Sequence, residues 1–452
     1  MDSAHGIAVL GLAQLRVLAL PHTFRMLLIQ KAFRFRLRLD GAQVRLARRT
    51  AGCRRYVMNR ALALQNAHHA KGGKFLSYAT LCAHLAQWKA APETSWLRQA
   101  PSQALQQALK DLDRAFQNFF AGRASYPAFR KKGRSDSFRF PQPSQIRLDQ
   151  ANSRLLLPKL GWIRYRNSRA VTGDLRNVTV SATGGHWYAA IQTQQEVPDP
   201  VPAASSAIGV DVGIARFATL SDGSHIAPLN SFMRLQPDLA RAQRKMARKV
   251  RFSRNWKKAK ARVTQIHTAI ANARSDFLHK TTTTMSNNHA LVAVEDLQVA
   301  NISASAKGTI ACPGKNVQQK AGLNRSILDQ GWGEFRRQLD YKLAWTGGWL
   351  MAVPPRNTSR TCPCCGHVAA GNRPSQAVFL CQQCWYENHA DAAAAINILD
   401  RALAMLAVEP SELAATEEME SNQGPDLARL ACEVSGAARP PAAGTHREHA
   451  PG

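Results

Sequence analysis

The chain has 452 residues, of which 60 are lysine or arginine and 30 aspartate or glutamate, a formal net charge of +30. At about 150 residues per domain this length suggests some three domains with real cores, and 45% hydrophobic residues exclude a disordered basic tail. Nine cysteines in so long a chain exclude a secreted disulfide scaffold, and the absence of any clean apolar run of 18 residues excludes a membrane-spanning helix.

Residues 1–25 are expected to be an extension ahead of Met26, a plausible initiator. Its apolar part, Gly6–Leu20, lacks a basic flank and is interrupted by Gln14 and Arg16, so no export signal is expected. Residues 31–39 alternate basic and apolar side chains, which predicts a half-buried strand with Arg34, Arg36 and Arg38 on one face. The pattern turns helical from Gly41 to about Ala70. A second helix is expected from Ser102 to Phe120, where Leu105, Leu109, Leu112 and Phe116 recur at 3/4 spacing. A basic loop with Arg130, Lys131 and Lys132 follows, then short strand-like runs to about Gln195, broken at Gly161, Gly184 and Gly185. The first 200 residues therefore read as helices inserted into a β-rich basic region.

Glu196–Ser206 is a proline-rich linker by composition. Beyond it, Ala207–Leu220 suggests a buried strand, a glycine turn and a second strand. Residues 236–280 look like one long basic helical segment, and Ala290–Val294 like a short apolar strand. The Gly/Ser/Lys-rich stretch 303–321 is a loop that suits either a lid or a linker. A helix is expected from Ser326 to Trp345 and a last one over 391–407. The remainder is acidic, rich in alanine and proline, and expected to be disordered. Eight of the acids lie after residue 406 with only three arginines, so residues 1–406 hold 57 basic and 22 acidic side chains. Such a charge repels itself in a compact fold, which argues for a polyanionic partner and a cytoplasmic, nucleoid-associated protein.

Cys362, Cys365, Cys381 and Cys384 form two C-x-x-C pairs separated by 15 residues. Each pair turns tightly enough for two thiolates to reach one ion, and two pairs complete a tetrahedral sulfur shell with no open position. One structural zinc is expected. Cys364 lies between the first pair and is an alternative ligand, although only Cys365 keeps the two-residue spacing.

Three carboxylates stand out. Asp211 lies on an apolar strand in IGVDVGI, Glu295 ends the apolar run ALVAVE, and Asp391 opens the helix ADAAAAINIL. A carboxylate on a buried strand is costly unless paired or metal-bound. Separately, each has an ordinary explanation: a turn former, a strand-end acid, a helix cap. Together, in a basic chain, they suggest a nuclease site with two Mg²⁺ or Mn²⁺ ions held by oxygen ligands alone. Between residues 241 and 262 stand Arg241, Arg244, Lys245, Arg248, Lys249, Arg251, Arg254, Lys257, Lys258, Lys260 and Arg262, with no acid and with Phe252 and Trp256 interleaved. An unmixed run of this kind suits nucleic-acid phosphates.

Over about residues 26–405 the sequence resembles the TnpB/OrfB family of insertion-sequence proteins, RNA-guided nucleases related to type V CRISPR effectors. The resemblance rests on GVDVGI, VEDL, NTSRTCPCCGH (357–367), FLCQQC (379–384) and ADAAAAINIL, with lesser matches at FRFRL, RSDFLHK (274–280), PGKNVQQKAGLNRSIL (313–328) and LDYKLAW (339–345). It implies a multidomain α/β protein. An RNase H-like (RuvC) nuclease domain would occupy 207–355 and 386–407, with a zinc ribbon at 356–385. A wedge-like oligonucleotide-binding β-barrel would take 26–40 and 123–198, interrupted by a helical recognition domain at 41–122. A linker at 199–206 and a tail at 408–452 complete the division. The resemblance also implies that Asp211, Glu295 and Asp391 are the metal-binding acids, that Arg373 approaches the scissile phosphate, and that guide RNA and target DNA are the partners. Two departures are visible: Trp385 stands where the family carries glycine, and Ala393 where it carries asparagine, which removes one side chain from the support of Asp391. The expected activity is RNA-guided, Mg²⁺-dependent DNA cleavage by a transposon-encoded protein. DNA strand transfer by the same acids, or a non-cleaving RNA-guided DNA-binding regulator, remain open alternatives on sequence grounds.

Overall fold

The alternating segment at the start forms a strand longer than its pattern suggests. β1 spans Met26–Arg38, burying Phe35 and Leu37 and exposing Arg34, Arg36 and Arg38. The computed structural model of the chain describes residues 26–133, 136–309 and 312–420. The expected extension 1–25 and the acidic stretch after 420 lie outside the described residues. Three helices follow β1: α1 (Gly41–Ala70), α2 (Tyr78–Ala90) and α3 (Ser102–Phe120). Asp40 caps α1 by accepting from the Gln43 backbone N–H, and the Gln43 side chain accepts from the Asp40 N–H in return. The expected apolar face of α3 is its buried face, and it shares a core with Val57, Leu62, Leu81 and Leu85.

Six more strands complete the first sheet: β2 (Ser137–Phe140), β3 (Arg147–Asp149), β4 (Arg154–Leu157), β5 (Gly161–Tyr165), β6 (Asp174–Thr183) and β7 (His186–Pro198). The order is β2-β6-β7-β1-β5-β4-β3. β1 is the hinge of this sheet, pairing antiparallel with β7 from Met26 to Arg36 and then with β5 at Leu37 and Arg38. No hydrogen-bonded ladder joins β2 to β3 among the described residues, yet Phe138 and Phe140 from β2 share one core with Phe35, Leu155 and Ile163. β7 takes up Glu196–Pro198, which shortens the linker to the residues that follow.

The second sheet has the order β10-β9-β8-β11-β12, from β8 (Ala207–Val212), β9 (Ala218–Leu220), β10 (His225–Ile226), β11 (Leu291–Glu295) and β12 (Trp349–Val353). β8, β11 and β12 run parallel, whereas β9 and β10 return antiparallel. Parallel neighbours require crossovers, and helices supply both. α4 (Ser231–Ala247) and α5 (Arg254–Asn288) lead to β11; α6 (Val299–Ile302), α7 (Val317–Gln330) and α8 (Trp332–Thr346) lead to β12. A two-stranded ribbon of β13 (Val378–Leu380) and β14 (Glu387–His389) precedes α9 (Ala390–Glu420).

Three expectations about helices change. The basic segment is two helices packed on each other through Leu239, Val263, Ile266 and Ile270, because the backbone turns at Phe252 with φ +68°. The helix expected at Ser326–Trp345 is also two, divided where Gly331 takes φ +77°, and the first begins at Val317, inside the expected loop. α9 continues to Glu420 instead of ending near residue 407; a first compact unit ends at Leu403 and a second starts at Ala404. Among the described residues, no helix is long and apolar enough to cross a membrane.

Candidate metal sites and nucleic-acid surface

The sheet register brings two of the three acids together. β8 and β11 pair in parallel with Val210 opposite Val294, so the next residues, Asp211 and Glu295, emerge side by side at the carboxyl ends of adjacent strands. The third acid arrives on α9, which crosses β8 closely enough that a Cβ on Gly209 would sit 2.1 Å from the Ala395 carbonyl oxygen and 2.9 Å from Leu399. The buried run Ala392–Ala395 permits this approach and sets Asp391 in the first turn of the helix. Gly209→Ala should therefore force α9 off the strand, at a cost of about 1–3 kcal/mol typical of overpacking. A lowered midpoint in urea unfolding checks this, and an unchanged midpoint contradicts the close crossing.

Burial, followed by the charges of Glu295 and Asp391, pushes the Asp211 carboxyl up to about 8, while Arg373 pulls it down. Glu295 is raised by its own burial, eased by a hydrogen bond from Thr358 and by Arg401. The Thr358 hydroxyl donates to Glu295 Oε1 at 2.5 Å. Arg373 places Nη2 3.3 Å from Asp391 Oδ1 and donates to the Gln376 carbonyl at 3.0 Å, and the Asp391 N–H donates to His389 Nδ1. A buried carboxyl facing two others, with oxygen atoms as donors, has the chemistry of a hard divalent-cation site.

The thiols of Cys362, Cys365, Cys381 and Cys384 all lie within 4.8 Å of one another, the one such group of His, Cys, Asp or Glu among the described residues. Cys362 and Cys384 are 3.6 Å apart, as are Cys365 and Cys381, whereas Cys364 is exposed and outside the group. Burial opposes ionisation of Cys381, but N–H groups of Cys384 and Gln383 donate to its sulfur and its thiol comes down to about 6. Trp385 explains why a glycine suits its position: it has φ +63° and is 74% exposed. Ala390 and Ala393 of α9 pack into a small cluster with Cys362, Phe379 and Cys381. Position 393 is thus a packing position, and Asn397 makes the polar tie instead, donating to the Thr358 and Thr361 carbonyls. Thr358, Asn397 and the buried Asn372, which donates to the Arg360 and His367 carbonyls, carry no role in the sequence reading. The motif NTSRTCPCCGH that contains Thr358 was the available signal.

The basic residues are where a polyanion can reach them. All eleven between 241 and 262 are exposed, and Arg241 with Asp238, 3.8 Å apart, is their one ion pair among the described residues. On β1 the Arg34 guanidinium lies 4.1 Å from the Tyr188 ring centre, and Arg36 donates to His186 Nδ1 at 3.0 Å. A cavity of about 430 Å³ beside them is lined by Arg36, Arg38, Arg166, His186 and Trp187. The backbone of Arg130 is fastened to α1 by two hydrogen bonds with Asn59, while Lys131 and Lys132 are exposed.

A family model described as "Probable transposase" matches residues 190–306, which contain Asp211 and Glu295. A "Cas12f1-like, TNB domain" model matches residues 332–398, which contain the four cysteines and Asp391. A "Helix-turn-helix domain" model matches 26–74, residues that here form a strand and one long helix. The chain is 54% identical over 377 residues to "Putative RNA-guided DNA endonuclease InsQ" of Escherichia coli (strain K12), covering 83% of this chain and 93% of that protein. It is 33% identical over 383 residues to "Putative RNA-guided DNA endonuclease" of Streptomyces pristinaespiralis, covering 83% and 90%. Among solved structures, a Cas12f1–sgRNA–target DNA complex aligns over 82% of this chain and 98% of that one, at 12% identity and a TM-score of 0.48.

Proposed function

The chain belongs to the TnpB/OrfB family of insertion-sequence proteins, and on that premise we propose that Asp211, Glu295 and Asp391 form the cutting site of a transposon-encoded RNA-guided DNA endonuclease. The observation that carries the reading is the parallel register that sets Asp211 beside Glu295, with α9 delivering Asp391 to the same strand ends. Central β8 with antiparallel β9 and β10 on one side and parallel β11 and β12 on the other supports an RNase H-like (RuvC) domain over 207–355 and 386–407. The four thiols support a zinc ribbon at 356–385 holding one structural Zn²⁺. The shared core of β1–β7 supports a partly open, wedge-like barrel at 26–40 and 123–198, with 41–122 as a helical recognition domain.

Asp211, Glu295 and Asp391 would hold two Mg²⁺ or Mn²⁺ ions through carboxylate oxygens alone. Ions bound there would activate water and offset charge on the phosphodiester. The protein's own part is positional. Thr358 fixes the Glu295 carboxylate by donating to it, and Arg373 holds Asp391 while keeping guanidinium N–H groups for a phosphate oxygen. The ribbon packs on the first turn of α9 and so carries both Arg373 and the footing of Asp391. The exposed basic surface would neutralise the backbones of guide RNA and target DNA, with base pairing supplying sequence. Work on DNA with this charge would keep the protein at the nucleoid.

The test is expression beside native flanking DNA, sequencing of co-purified RNA, and cleavage of plasmids matched or mismatched to that RNA. Mg²⁺-dependent cuts only in matched plasmid are expected; guide-independent cutting, or joined DNA products, contradicts the reading. Replacing both Lys257 and Lys258 with alanine should flatten the slope of log affinity against log salt by about 0.7–0.9 for each phosphate that is no longer neutralised. An unchanged slope removes those two lysines from the surface.

A further inference from the structure

The tip of the α4–α5 pair has a feature that neither the turn nor the core explains. Arg248–Ser253 joins two helices that hold each other through their own small core, so the tip is carried on a stiff arm. Ser253 fixes the start of α5 by accepting from the Trp256 N–H at 3.1 Å. In this set turn Phe252 adopts φ +68°, a left-handed conformation that a glycine or asparagine would take with less strain. Burial does not offset that strain, because Phe252 is 62% exposed, and Val250 beside it is 80% exposed.

The ring is nevertheless held. Trp256 meets it edge-on with centroids 5.4 Å apart, the Arg251 guanidinium lies 5.0 Å from its centre, and the Lys260 ammonium lies 5.1 Å from the centre of Trp256. Strained backbone positions of this kind cluster at functional sites, and here the strain presents a braced aromatic ring to solvent. The surroundings say what the ring meets. The segment 241–262 is wholly basic in its charged residues, so the arm attracts a polyanion and repels a cationic protein face. Every nucleic-acid base has a flat face that stacks on an aromatic ring, and an open duplex end offers one without unstacking its interior.

We propose that this tip is a stacking wedge that caps the open end of a nucleic-acid duplex, with Phe252 as the ring that meets the terminal base pair and Trp256 as its brace. The proposal rests on the reading that the chain binds a guide–target duplex and names one subsite of that binding. The terminal pair could belong to the guide–target hybrid or to a helix of the guide RNA; the stacking chemistry is the same.

The test uses full-length protein and short RNA–DNA hybrid or RNA–RNA duplexes carrying 2-aminopurine at the terminal or an internal position, or closed at both ends by loops. Wild-type protein should change the fluorescence of a terminal probe and leave an internal one unaltered; which duplex responds tells which end is capped. Phe252→Ala should bind open-ended duplexes about tenfold more weakly with an unchanged salt slope, Phe252→Trp should restore binding, and closed duplexes should not distinguish the variants. Phe252→Gly, which relieves the left-handed strain, should melt no lower than wild type, so loss of binding there is not loss of fold. Equal affinity of wild type and Phe252→Ala for open ends overturns the proposal, as does an equal loss on closed duplexes or an unresponsive terminal probe. An unresponsive probe with guide-directed cleavage intact sinks the wedge alone. A responsive probe without guide-directed cleavage keeps the wedge and sinks the endonuclease reading.

Discussion

Asp211→Ala is expected to slow DNA cleavage by about a thousandfold or more while guide and target binding change by no more than about twofold. The acid stands on the central strand and feels the charges of both Glu295 and Asp391, so its loss would take one proposed ligand from the site. Bound divalent cations contribute several kcal/mol to phosphodiester cleavage, and about 4 kcal/mol corresponds to three orders of magnitude. The exposed basic residues proposed to bind nucleic acid lie on other elements, so binding should persist. The same variant has a stability signature. With its carboxyl raised to about 8, folded protein retains a proton that the unfolded chain releases above its ordinary value of 3.8. Fewer protons on the unfolded state mean that stability falls as pH rises between these values. Metal-free wild type should lose stability across that window, and Asp211→Ala should lose less. Urea unfolding at pH 5 and pH 8, with filter binding and single-turnover cleavage, checks the set; wild-type cleavage in the variant contradicts the site.

Cys381→Ser is expected to lower the melting temperature and to reduce cleavage to background although all three acids remain. The ribbon has little core of its own: Phe379 and the cysteines pack with Ala390 and Ala393 of α9. Apparent zinc affinities in small Cys/His domains amount to about 10–16 kcal/mol, so metal supplies much of the order in such a unit. Loss of that order would release Arg373 from Asp391 and weaken the Asn397 ties to the loop that carries Thr358. Excess Mg²⁺ should therefore fail to rescue activity, and metal analysis should find one zinc per wild-type chain. An unchanged melt after substitution or chelation removes the structural role.

Much of this arrangement was legible because its signals are local. Alternation over 31–39 names the exposed face of β1, the apolar runs before Asp211 and Glu295 name strands, and two C-x-x-C pairs name four thiols that lie together. What was not legible depends on single backbone angles or on long-range register. The turn within the basic segment contains neither glycine nor proline, so its period runs on unbroken through Phe252. Gly331 was a visible break inside an otherwise helical pattern, but an isolated glycine does not say whether a helix tolerates it or ends there. Thr358 meets Glu295 across 63 residues, and Arg36 meets His186 across 150, pairings that no window of sequence contains. Likewise, nothing in the run of alanines at 392–395 announces that a glycine on another strand leaves room for them.

The central claim, that residues 211, 295 and 391 share one pair of cations, can be read from the protein itself. Zinc-loaded protein supplied with Fe²⁺, ascorbate and peroxide generates hydroxyl radicals at its divalent-cation site and cuts its own backbone nearby. Cuts clustered around all three positions, suppressed by added Mg²⁺ and lost in Asp211→Ala, are the expected result. Cuts at one position only, or a pattern that Mg²⁺ leaves unchanged, would contradict a shared site.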